Sequence, residues 1–123
     1  MKENKFSIRK RLKSFTYAFN GLGLLLKEEH NARIHFIVSV IVIIAGFYFG
    51  LNAYEWIAIL FSIGLVITVE ILNTVIENIA NLISPEKNEK IKNIKDLAAA
   101  AVLISAIIAV SIGMIVFIPK IRF

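Results

Sequence analysis

The stretch that most constrains this chain runs from Trp56 to Ile83. As a helix it would be about 42 Å long, against a hydrocarbon core of about 30 Å. Inside this apolar run stand two carboxylates, Glu70 and Glu77, with Asn73, Thr74 and Asn81. At roughly 100° per residue, Glu70, Asn73, Glu77 and Asn81 fall within an arc of about 80°. They form one polar stripe on a greasy cylinder. An ionisable group in a membrane span costs several kcal/mol and faces the interior of a bundle. Amides and hydroxyls in spans also hold helices together by hydrogen bonding, and Asn73, Thr74 and Asn81 alone are equally consistent with that role. Two glutamates one heptad apart are not, because each must be protonated, paired or metal-bound to sit there. The stripe is the first candidate site.

The rest of the composition agrees with a membrane setting. Of 123 residues 58% are hydrophobic, and the mean hydropathy is +0.76, well beyond an ordinary soluble domain. The expected class is a small all-α integral membrane protein, residues 1–123 forming one domain. With no cysteine, disulfide, zinc-thiolate and thiol chemistry are excluded. The net charge of +5 points to anionic headgroups or nucleotide phosphates before nucleic acid. The first 33 residues are charged and amphipathic, unlike a cleavable signal peptide.

Residues 1–7 are polar and expected to fray. Ile8, Leu12, Phe15, Phe19, Leu22 and Leu26 recur at helical spacing. With Arg9, Lys10, Lys13 and Lys27 off that face, residues 8–28 read as an amphipathic helix lying on the membrane surface. Gly21 and Gly23 would mark a bend. Lys27 to His35 is dense in charge; His30 and His35 do not match a common metal spacing and are expected to be interfacial and solvated. Spans are expected at about 34–51, 56–83 and 97–118, with Asn52–Glu55 as a short turn and Tyr54 and Trp56 at an interface. Ser84–Lys95 reads as a polar loop opened by Ser84-Pro85. Asp96 would open the third span and complement its dipole, and the Ala98–Ala101 run would permit close packing. Eight Lys/Arg precede the first span and four lie in the loop 84–95, but none in 52–55. The basic side is expected to be cytoplasmic, N-terminus included. Glu29, Glu77, Lys95 and Asp96 then gather at the face where ATP and Mg²⁺ are available.

Such a set has a definite chemistry. Two carboxylates can hold Mg²⁺ while it keeps waters and binds phosphates. A lysine can neutralise phosphate oxygens. A deeper carboxylate can take a proton from a lipid hydroxyl. Glu77 with Glu29, Lys95, and Glu70 fit these tasks in that order. No glycine is followed by lysine, so the familiar phosphate-binding loop of soluble nucleotide enzymes is absent.

The string Glu70-Ile71-Leu72-Asn73-Thr74-Val75-Ile76-Glu77, followed by Lys95-Asp96 and Ala98–Val102, and preceded by Glu29-x-x-x-Arg33, resembles the small prokaryotic diacylglycerol kinases. The resemblance covers roughly Lys10 to Ile118. It implies a homotrimer of three-span subunits with surface helices, in a bacterial inner membrane, whose composite active sites between subunits use MgATP. By position it makes Glu70 the general base and gives the metal to Glu29 and Glu77. Asn73 becomes a supporting group beside the metal, and Lys95 and Asp96 contact the nucleotide. Lys10 and Tyr17 fall near the nucleotide, Lys10 where the family can have Arg, which binds phosphate bidentately. Glu86 to Asn88 would also contact ATP, and Ala99 would line the lipid site. Asn81 stands where the family has Asp, which keeps the hydrogen bonding and loses the charge. Ala98–Ala101 likewise replaces a Gly or Ser.

Arg33-Ile34-His35 and Phe117-Ile118-Pro119-Lys120 resemble the Gram-positive branch, which implies undecaprenol as the lipid, with diacylglycerol as the alternative. Two readings from other classes stand beside the kinase. In an oligomeric transporter Glu70 and Glu77 would relay protons or cations; against it, the charges gather at one face only. In a structural protein the stripe would merely hold an assembly together.

Overall fold

The computed structural model describes residues 7–84, 86 and 88–121. The expected fraying of residues 1–6 lies outside these, as do Pro85, Lys87 and Arg122. The described residues form four helices: α1 (Ile8–Glu28), α2 (His30–Phe49), α3 (Ala53–Ile83) and α4 (Glu89–Ile121). α2, α3 and α4 are long and apolar enough to cross a membrane. This is an all-helical, multi-pass membrane protein.

α1 starts where a cap is available. The Ser7 Oγ accepts from the Lys10 N–H at 3.4 Å, so Ser7 is an ordered cap and not part of a frayed end. Ile8, Leu12, Phe15 and Phe19 are all more than 60% exposed, leaving the apolar stripe free for a membrane surface. The helix runs unbroken through Gly21 and Gly23. It ends at Glu29, an extended residue that closes α1 and opens α2. Arg33 secures this junction: its Nε and Nη2 donate to the carbonyls of Leu26 and Lys27 at 2.6 and 2.5 Å. These last-turn carbonyls have no partner within their own helix.

α2 begins at His30, one turn earlier than expected, and ends on Gly50, whose φ of +66° suits a residue without Cβ. Asn52 and Glu55 then form a reciprocal capping box that starts α3. The presumed turn is thus mostly the first turn of a helix. At the other end of α3 the polar loop is shorter than expected. The Asn88 Oδ1 accepts from the Lys90 N–H at 2.8 Å and starts α4 at Glu89. Asp96 therefore lies two turns inside α4 and does not open it; the carboxylate beside the helix N-terminus is Glu89. Of the alanine run only Ala98 is buried.

α3 packs along α4, more lightly on α2, and α1 touches α2. Leu51, Ile59 and Val116 form the apolar core, with Trp56 and Phe117 against it. This core lies at the 50–55 end of the molecule, where the Lys120 Nζ pairs with the Glu55 Oε1 at 3.1 Å. The tight point is Gly46, where an added Cβ would stand 2.6 Å from the Trp56 ring and 3.1 Å from Leu51. Gly46→Ala is expected to destabilise the chain by about 1–3 kcal/mol through overpacking. Gly23→Ala meets nothing within 4 Å and should be neutral or stabilising by up to about 1 kcal/mol. Thermal unfolding in detergent micelles compares the two.

Candidate functional site

Along α3 the stripe runs from buried to exposed. Glu70 and Asn73 are buried, Glu77 is half-buried and Asn81 is exposed. The buried face continues through Val66, Ser62 and Ile59 toward the apolar core. A helix that must bury these apolar residues buries Glu70 with them, since all share one side of the 3.6-residue repeat.

The interior polar groups divide into two kinds. The hydroxyls of Ser39, Ser62, Thr74 and Ser105 each donate to a carbonyl three or four residues back in their own helix. They are satisfied locally and join no helices, so Thr74 is not glue within this chain. The Glu70 Oε2 and Asn73 Oδ1 are buried and accept no hydrogen bond among the described residues. Leaving a buried polar atom unmade costs about 1–3 kcal/mol, more for a charged group. Cost without local compensation is the mark of a site.

Three other segments converge on the stripe. The first is the α1–α2 junction. Burial raises the Glu29 pKa above its ordinary 4.5, and the charges of Glu77, Glu70 and Glu28 raise it further. Glu77 in turn accepts from the Asn73 Nδ2 at 3.3 Å. The second is α2, which places the His35 Nε2 3.6 Å from the Glu70 Oε2. His35, expected to be solvated, is only partly so: its side chain is 26% exposed and faces Glu70. The third is α4, whose Lys95 Nζ donates to the Asn81 Oδ1 at 2.5 Å.

Beyond Lys95 lies a cavity of about 350 Å³ lined by Ser84, Glu86, Asn88, Ile91, Lys92, Lys95 and Asp96. Four residues assigned to the nucleotide meet here: Glu86, Asn88, Lys95 and Asp96. Three carry other duties as well, since Asn88 caps α4, Asp96 pairs with Lys92 at 2.6 Å and Lys95 donates to Asn81. Lys10 and Tyr17 are not brought in; both are exposed on α1, and neither side chain has a hydrogen bond or ion pair among the described residues. Ala99 is exposed beside the buried Ala98.

A divalent cation fits this donor set. Glu29 and Glu77 repel each other, and Asn73 offers an unused oxygen. Among the described residues no three His, Asp or Glu groups make a self-contained cage. Mg²⁺ does not need one, because it keeps waters and takes phosphate oxygens beside one or two carboxylates.

The raised Glu29 pKa has a stability consequence. The folded chain holds this proton more tightly than the unfolded chain. The cost is absent below 4.5, grows as pH rises through the raised value, and is full above it. Glu29→Gln should therefore raise the melting temperature of the ATP-free protein at neutral pH. The gain should shrink as the melts are repeated at falling pH.

The sequence-family model described as prokaryotic diacylglycerol kinase matches residues 16–117. The undecaprenol kinase of Bacillus subtilis strain 168 is 34% identical over 119 residues, covering 97% of each chain. A Synechocystis diacylglycerol kinase is 36% identical over 88% of this chain and 62% of its own. The diacylglycerol kinase of Escherichia coli K12 is 29% identical over 89% and 90%.

Proposed function

The chain belongs to the prokaryotic diacylglycerol kinase family and is a lipid kinase, and we propose that it transfers the γ-phosphate of ATP to undecaprenol. The observation that carries the mechanism is the buried Glu70 carboxylate, with one oxygen lacking a hydrogen bond, at the inner end of an acidic and amide stripe. The choice of lipid rests on the undecaprenol kinase that matches the chain end to end. The transporter and structural readings are set aside by the family.

Each residue has a task in this reading. Glu70 takes the proton from the lipid hydroxyl as that oxygen attacks the γ-phosphorus. Glu29 and Glu77, supported by Asn73, would hold Mg²⁺, which when bound would supply neutralisation of charge on the transferring phosphoryl group. Lys95 reaches phosphate oxygens from the cavity behind it, and Asp96, Glu86 and Asn88 line the remainder of the nucleotide site. Ala99 faces the lipid.

Among the described residues neither the Lys10 nor the Tyr17 side chain has a hydrogen-bond or ion-pair partner, which is compatible with a site shared between subunits. The enzyme acts as a homotrimer. It sits in a bacterial inner membrane, with its basic N-terminal segment and the 84–88 loop in the cytoplasm.

The test is transfer of labelled phosphate from ATP in micelles with Mg²⁺, offering undecaprenol and diacylglycerol side by side. Label is expected in the polyprenol; label mainly in diacylglycerol reverses the substrate and keeps the chemistry. Glu70→Gln should lower kcat by about 10²-fold or more and leave ATP binding intact. Loss of ATP binding in that variant would contradict its assignment as base.

Asn81 holds Lys95 as a neutral acceptor. An aspartate there would add ion pairing to a bond that the lysine ammonium already makes charge-assisted. Asn81→Asp is expected to raise turnover by fixing Lys95. Unchanged or lower turnover would show that the amide already suffices.

A further inference from the structure

A carboxylate as deeply buried as Glu70, only 2% exposed, stays ionised only beside a compensating charge. A general base must be ionised to accept a proton. The sequence offers no partner for Glu70 on its own helix, because its stripe neighbours are amides and a second acid. The structure supplies one from α2. The His35 Nε2 faces the Glu70 Oε2 at 3.6 Å, the same oxygen that accepts no hydrogen bond. No other cationic group lies within ion-pair distance of Glu70 among the described residues; Lys95 is committed to Asn81, about three turns further along α3.

The two side chains also differ in access. His35 is 26% exposed and Glu70 2%. His35 further borders a mainly apolar cavity of about 370 Å³ between α2, α3 and α4. Of the pair, only the imidazole reaches a partly exposed surface.

We infer that His35 is a positioning residue for Glu70, its imidazolium keeping the buried carboxylate ionised and then carrying away the proton that Glu70 collects. The inference rests on the reading of Glu70 as general base. The proton balance closes. The pair begins as carboxylate and imidazolium. The lipid O–H bond breaks, its proton passes to Glu70, and its oxygen bonds to the γ-phosphorus as the bond to ADP breaks. The imidazolium gives its proton to water on its exposed side. The neutral ring then takes the proton from Glu70, restoring the starting pair. One proton is released per lipid phosphorylated, and none accumulates in the interior.

The decisive test has an arm that needs no turnover. Infrared difference spectra of wild type against Glu70→Gln, with isotope-labelled glutamate, isolate the Glu70 band. An ionised carboxylate is expected in wild type, and a protonated carboxyl in the His35→Ala and His35→Gln backgrounds. An ionised Glu70 in both variants overturns the inference, whatever the activity.

The second arm is kinetic. Both His35 variants should lose about a hundredfold in kcat with the KM for ATP unchanged, since His35 does not line the cavity where Glu86, Asn88, Lys95 and Asp96 meet. Added imidazole should restore part of the rate in His35→Ala and none in Glu70→Gln. Wild-type kcat in either variant, or loss that tracks a lowered melting temperature and resists imidazole, overturns the role. A wild-type chain with an ionised Glu70 that phosphorylates no lipid would instead refute the base assignment while leaving the ion pair in place.

Discussion

The structure turns on one energetic conflict: a carboxylate placed where the solvent is hydrocarbon and protein. Moving an isolated ionised group into such a medium costs far more than the few kcal/mol separating folded from unfolded chains. Glu70 nevertheless shares the buried face of α3 with Ile59, Val66 and Ala80, so the packing that forms the bundle also buries the acid. The surrounding elements meet that cost unevenly. α2 brings a histidine to it and α4 a lysine to the exposed end of its stripe, while the α1–α2 junction adds a second carboxylate whose like charge raises the cost.

A single antiparallel register between α2 and α3 accounts for the arrangement. Gly46 sits against Trp56 at the apolar end, His35 against Glu70 in the middle, and Glu29 near Glu77 at the polar end. α4 repeats this with α3, pairing Lys120 with Glu55 at one end and Lys95 with Asn81 at the other. The two ends differ in kind. One is closed by a capping box, an αL glycine and a tightly packed tryptophan. The other leaves acceptors unmade and repelling carboxylates together. The well-packed and capped contacts are at the first end, and the second holds the candidate site with its costly unmade and like-charged groups.

Much of the site was readable because helical spacing is a local property. Glu70, Asn73, Glu77 and Asn81 share a face by arithmetic alone, and two acids in an apolar run mark it as functional. The pairing of Lys95 with Asn81 is not legible in the sequence, where the two lie fourteen positions apart on different helices. His35 was misread. In the sequence it is a polar residue in a charged stretch, six positions after Glu29 and one after Ile34, with no periodic signal tying it to Glu70. Asp96 was misread for another reason: Lys-rich polar sequence masked two turns of helix before it, which Asn88 caps.

By itself the sequence determined the class, the spans, the amphipathic surface helix and the polar stripe, since hydropathy and the 3.6-residue period depend on neighbours along the chain. The tertiary structure decided which atoms of that stripe are satisfied, which histidine meets the buried acid, and that Glu86, Asn88, Lys95 and Asp96 gather around one cavity. Those depend on helix register, and register is set by contacts between residues far apart in sequence, such as Gly46 with Trp56.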